Sequence, residues 1–178
     1  MIKKISLALF ILLASPFVIA LFLKTEYHVE QSVVINKPKD DVFAYVVQLK
    51  NQDNFSRWAQ IDPDMVKSYR GTDGQVGFVS RWESEHPEVG VGEQEIMKIV
   101  PGQRIDFQLR FYQPFEATEP AYMTTENNGS DATTVKWGFS GHMDYPTNIM
   151  FLFMDFEKII ADDLQSGLDN LKSILEKE

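Results

Sequence analysis

The chain has 178 residues, 44% apolar and 24% charged, a balance that excludes a disordered polymer and fits one globular domain. Its formal charge is −9 and it contains no cluster of Lys or Arg. This excludes nucleic acid as a partner, because phosphates must be met by grouped cations. The absence of cysteine excludes disulfides, thiolate metal sites and a cysteine nucleophile.

At the N-terminus, Lys3 and Lys4 precede ISLALFILLASPFVIALFL, 19 uncharged residues from Ile5 to Leu23, and Lys24 closes the run. As a helix it would be about 28 Å long, close to the thickness of a bilayer core. A cleaved signal peptide has a shorter apolar stretch and a small-x-small cut site. Here the one tolerable cut, after Ala20, has Val18 where a small residue belongs and would leave Leu21, Phe22 and Leu23 exposed. The expectation is a retained transmembrane anchor over residues 1–25, with Pro16 as a tolerated kink. Lys3 and Lys4 stay cytoplasmic, which puts the domain of residues 26–178 on the extracytoplasmic side of the cytoplasmic membrane. The two lysines supply two positive charges, so the remainder of the chain carries −11.

After the anchor, Tyr27, Val29, Val33 and Ile35 alternate as one face of a strand. Pro38 opens a short helix bearing Val42, Phe43, Val46 and Leu49. NQDNFSRWAQIDPD, with Phe55 and Trp58, reads as loop or short helix. Strands follow at Met65–Arg70, Phe78–Glu83, Val89–Val100, Arg104–Phe111, Thr118–Glu126 and Thr133–His142, separated by turn-rich segments. Gly90 and Gly92 predict a bulge in the long fourth strand. A helix is predicted from Asn148 to Glu176, long enough to cover one face of an antiparallel sheet. Ala161, Leu164, Leu168, Leu171 and Leu175 form its apolar stripe.

This order, with SVVINKPKDDVFAYV, Trp58 followed by DPDM, GQVGFVSRW, VGEQEIMKIVPGQRIDFQL, PFEATEPA, TTVKWGFSG and LQSGLDNLKSILE, resembles the START-like (Bet v 1-like, SRPBCC, helix-grip) superfamily. Within it, the bacterial polyketide cyclase/dehydrase type is most similar. Phe55 is a departure, since many relatives carry tryptophan there. The resemblance implies an α+β helix-grip fold: a curved antiparallel sheet of about seven strands wrapped on a long C-terminal helix, here preceded by a transmembrane helix. It also implies a cavity between sheet and helix.

Nine residues, NIMFLFMDF from Asn148 to Phe156, are apolar nearly all round. In this fold they are expected to face protein and ligand rather than lipid, and methionine adapts to variable ligands. The ligand-facing candidates are therefore Trp58, Phe78, Trp82, Phe107, Met123, Trp137, Met150, Phe153 and Met154. Glu93 and Glu95 join them if their strand is regular, as buried carboxylates of raised pKa. A bulge at Gly90/Gly92 would turn both to solvent, and Arg81 or Arg104 would be their partners otherwise. WESEHPE reads as a solvated hairpin tip, and His142 falls on the water side of its strand. No cofactor fingerprint, phosphate loop, nucleophile elbow or metal-ligand spacing occurs, so neither cofactor nor metal is expected.

Three functions remain. The first is membrane-anchored binding of a hydrophobic small molecule or lipid. The second is a cyclase- or hydratase-type enzyme using a cavity carboxylate. The third is a non-catalytic accessory domain of a membrane complex, its interior filled. A cavity above ~300 Å³ separates the first two from the third. An inward carboxylate favours the second.

Overall fold

Period-two alternation and glycine-punctuated turns lay the chain out as consecutive antiparallel strands, which a computed structural model describes over residues 2–177. The side chains of residues 2–5, 7, 8, 10 and 11 are outside that description, and the expected anchor of residues 1–25 falls partly on them. The first element is helix α1, Ile2–Ala20. Among the described residues no helix is long and apolar enough to cross a membrane.

Strand β1 is Glu26–Ile35, followed by α2 (Lys39–Val46), α3 (Gln52–Phe55) and α4 (Arg57–Ile61). Six strands then come in sequence: β2 (Val66–Arg70), β3 (Val79–Glu83), β4 (Val91–Val100), β5 (Arg104–Gln113), β6 (Ala117–Asn127) and β7 (Thr133–His142). They form one curved antiparallel sheet in the order β1-β7-β6-β5-β4-β3-β2. Helix α5, Phe156–Leu175, packs across β1 and β7. The stripe Leu164, Leu168, Leu171 and Leu175 is buried in one core cluster with Ile35, Ile105, Met123 and Val135.

The predicted helix start at Asn148 is corrected. Residues Thr147–Leu152 form a 3₁₀ segment, and α5 begins only at Phe156. The cause is local: the Asp155 carboxylate accepts the Lys158 N–H at 3.0 Å, which caps the helix there.

The fourth strand is irregular at its glycines, as predicted, and again at a second place that no glycine marks. Register shifts fall between Val91 and Gly92 and again between Ile96 and Lys98. Met97 is the extra residue of the second shift, so Ile96 and Ile99 both reach the core although three positions separate them.

Candidate functional site

The inner face of the sheet does not meet α5 along its whole length. Toward the N-terminal end of the helix a cavity of about 970 Å³ opens between them. Its floor is Tyr27 of β1, Trp82 of β3, Gln94 of β4, Leu109 and Phe111 of β5, Glu119 and Ala121 of β6, and Trp137 and Phe139 of β7. Trp58 of α4, Met150 of the 3₁₀ segment, and Ile160 and Leu164 of α5 close it from the other side. The exposed lining residues mark the mouth: Phe115 and Glu116 on the β5–β6 turn, Asp144 and Thr147 after β7, and Ile159 on α5.

The walls are braced by aromatic pairs. Trp82 meets Phe111 edge-on at 6.1 Å between ring centroids, and Trp58 meets Trp137 edge-on at 6.3 Å. Two glycines make room for these indoles. A Cβ at Gly92 would come within 2.5 Å of the Trp82 ring, and one at Gly167 within 2.8 Å of the Trp137 ring.

Against this apolar lining stands Glu119, only 7% exposed. Its Oε1 accepts the His142 backbone N–H at 2.9 Å. Burial pushes its pKa above the ordinary carboxylate value, and the His142 hydrogen bond opposes that only in part. Tyr27, nearby on β1, is pushed up to about 12, first by burial and then by the charge of Glu119. At neutral pH it is therefore a phenol, able to donate a hydrogen bond. Asp163, also lining the cavity, is pushed up by burial, while its ion pair with Arg57 at 2.6 Å pulls the other way. His142 is raised by its hydrogen bond to Asp144 and sits exposed at the cavity rim.

The sequence candidates divide into four groups. Trp58, Trp82, Trp137 and Met150 line the cavity. Phe78, Phe107 and Met123 are buried in the packed core and lie outside the lining. Glu93 and Glu95 must be corrected: they lie off the lining and are paired with Arg110 at 2.7 and 2.6 Å. They would share a face with Ile99 only in a regular strand; the bulge at Met97 breaks that phase, and Gln94 faces inward instead. Phe153 and Met154 must also be corrected. They are exposed on the surface, because the chain leaves helical geometry between Leu152 and Phe156.

Glu119 is not among the sequence candidates, although its phase is readable. Counting back by twos from inward Met123 passes Ala121 and arrives at Glu119.

Among the described residues no group of acidic or histidine side chains is placed to hold a metal ion. Residues 26–176 match the sequence profile of the family described as polyketide cyclase / dehydrase and lipid transport. Among solved structures, truncated norcoclaurine synthase from Thalictrum flavum is similar with a TM-score of 0.61 at 10% identity, over 86% of this chain and 95% of that one. The Aha1 dimer from Colwellia psychrerythraea gives 0.58 at 14%, over 84% and 96%. Ara h 8.0201 gives 0.58 at 10%, over 86% and 99%. At such identities the likeness carries the fold alone. No curated protein sequence matches the chain.

Proposed function

The chain belongs to the polyketide cyclase / dehydrase and lipid transport family of the START-like, Bet v 1-like superfamily, and from that premise we propose that it binds a hydrophobic small molecule or lipid between sheet and helix α5, anchored to the cytoplasmic membrane by α1. The observation that carries the reading is the cavity of about 970 Å³, three times the ~300 Å³ at which small-molecule sites begin. A filled accessory domain would have no such space.

The lining suggests what kind of molecule enters. An apolar body rests on Trp82, Phe111 and Trp137, and a hydrogen-bond donor at its end, a hydroxyl or an amine, meets Glu119. Burying a carboxylate is costly unless something pairs with it. A donor on the ligand removes that cost, so binding favours such molecules over plain hydrocarbons.

The anchor is supported by the uncharged run Ile5–Leu23 and by the exposed apolar side chains Leu9, Leu12, Leu13 and Phe17 on α1. Lys3 and Lys4 favour a single pass with the domain on the extracytoplasmic side.

Native mass spectrometry of the full-length protein extracted from membranes tests the reading. The expected spectrum contains a population heavier by one apolar molecule, absent when Ala121→Phe fills the cavity. Only ligand-free protein, with no uptake of added long-chain alcohol, contradicts it.

A second reading, a cyclase- or hydratase-type enzyme, is favoured by Glu119 specifically. A buried carboxylate of raised pKa in an apolar site can take and return a proton. Under that reading Glu119→Gln stops turnover of a bound substrate while binding persists. Under the first reading the same substitution weakens binding, and there is no turnover to lose.

A further inference from the structure

We propose that Leu152, Phe153 and Met154, together with Leu21 and Phe22, rest in the surface of the lipid bilayer and hold the cavity mouth toward it. The inference depends on the reading of α1 as a membrane anchor and adds the orientation of the domain and a route for its ligand.

It begins with five large apolar side chains left in water. Phe22 is 85% exposed and Phe153 75%, with Leu21, Leu152 and Met154 also exposed. Isolated exposed leucines need no explanation, but a group of this kind does. The two halves of the group are joined by a specific contact. The Asn148 side chain, buried, donates from Nδ2 to the Ala20 carbonyl at 2.8 Å. Lys24 pairs with Glu157 at 2.8 Å and lies over the Phe151 ring at 5.3 Å. The end of α1 and the segment ahead of α5 are thus one unit.

Depth follows from that contact. Ala20 lies three residues inside the end of the uncharged run, which closes at Leu23. If α1 spans the bilayer, a side chain docked on Ala20 sits at the membrane surface, and so do the residues that follow it. Lys24 and Lys158 in this region pair with Glu157 and Asp162, so among the described residues no cationic patch is available here for anionic headgroups. Lipid contact is therefore apolar insertion, in the manner of an interfacial segment.

The same segment forms part of the cavity. Thr147 and Met150 line it, a few residues before Leu152. An apolar ligand passing between bilayer and cavity at this edge avoids crossing water, a cost that grows with every exposed methylene.

The chain has no cysteine, so single sites can be labelled without background. The full-length variants Leu12→Cys in α1, Phe153→Cys, and Ser130→Cys on the β6–β7 turn at the far end of the sheet are each given an environment-sensitive fluorophore. They are reconstituted into phosphatidylcholine vesicles carrying doxyl-quencher lipid. The expected result is quenching at positions 12 and 153 and none at 130. Quenching at 12 with position 153 as water-exposed as position 130 overturns this inference and leaves the anchor standing. An unquenched label at 12 overturns the anchor, and the inference with it.

Discussion

One end of the sheet is filled and the other is hollow, and the same strands and the same helix build both. At the filled end Ile35, Ile105, Met123 and Val135 pack against Leu168, Leu171 and Leu175 with almost no residual exposure. At the hollow end the inward positions of those strands are Tyr27, Leu109, Phe111, Glu119 and Phe139, and they surround a cavity of about 970 Å³. Branched aliphatic side chains adapt to one another and close the space between layers. Rings braced edge-on against other rings hold their positions and keep the layers apart. A continuous apolar stripe on α5 runs over both ends, so helix amphipathicity alone does not tell a core from a pocket.

The sharpest way to break the comparison is to remove a side chain from each end. Leu168→Ala, at a position 0% exposed, should cost about 2–5 kcal/mol in chemical denaturation, because a void opens in a packed core. Met150→Ala enlarges a space that already exists, and its removed atoms had fewer neighbours to lose, so about 1 kcal/mol is expected. Equal losses would mean that the two ends do not differ.

A methyl group can also be added. Gly92→Ala drives a Cβ into the Trp82 ring and the Arg110 carbonyl, and about 1–3 kcal/mol should be lost as the strand shifts. Trp82 emission should change in the same variant. Ala121→Phe enlarges a side chain that faces the cavity, so stability should move by less than about 1 kcal/mol while ligand affinity falls at least about tenfold.

Glu119 makes the hollow end sensitive to pH in a defined direction. Its pKa is raised in the folded protein, so the folded state holds the proton more tightly than the unfolded chain. Its contribution is fully present below the ordinary carboxylate value and is lost as pH rises through the higher folded value. Glu119→Gln keeps an acceptor for the His142 N–H and removes the titration. Denaturation measured from pH 4 upward should therefore show a shallower decline in the variant. An unchanged slope would mean that the carboxylate is not buried as the structure has it.

The smallest effect on ligand binding is expected at Arg110, which pairs with Glu93 and Glu95 away from the cavity. Arg110→Ala should cost about 1 kcal/mol, and ligand affinity should stay as it was. A large loss of affinity would bring those carboxylates back into the site.

The fold was legible because its signals are local and repeated. The alternation Ile105, Phe107, Leu109, Phe111 fixes both a strand and its inward face. The site was legible only in part. Trp58, Trp82, Trp137 and Met150 could be named from phase and bulk. Glu93 and Glu95 fall outside the site because a bulge at Met97, which no glycine marks, shifts the phase by one residue. Phe153 and Met154 have the apolar bulk of a buried helix start, but a capping residue after them overrides it. Asp155 ahead of Phe156-Glu157-Lys158 is a helix-start signal, and it moves both residues out of the helix. Whether a set of inward aromatics fills a space or lines one depends on how rings from distant strands meet, and no local pattern carries that.

The central claim is that the hollow end receives an apolar molecule with a hydrogen-bond donor at its head. The chain has three tryptophans, and Trp58, Trp82 and Trp137 all line the cavity, so intrinsic fluorescence reports on that space directly. Titrating the reconstituted full-length protein with a long-chain alcohol should give a saturable change in tryptophan emission. The change should be weaker for the matching alkane and absent in Ala121→Phe. Emission that does not respond, or a response that survives the filling of the cavity, would contradict the account.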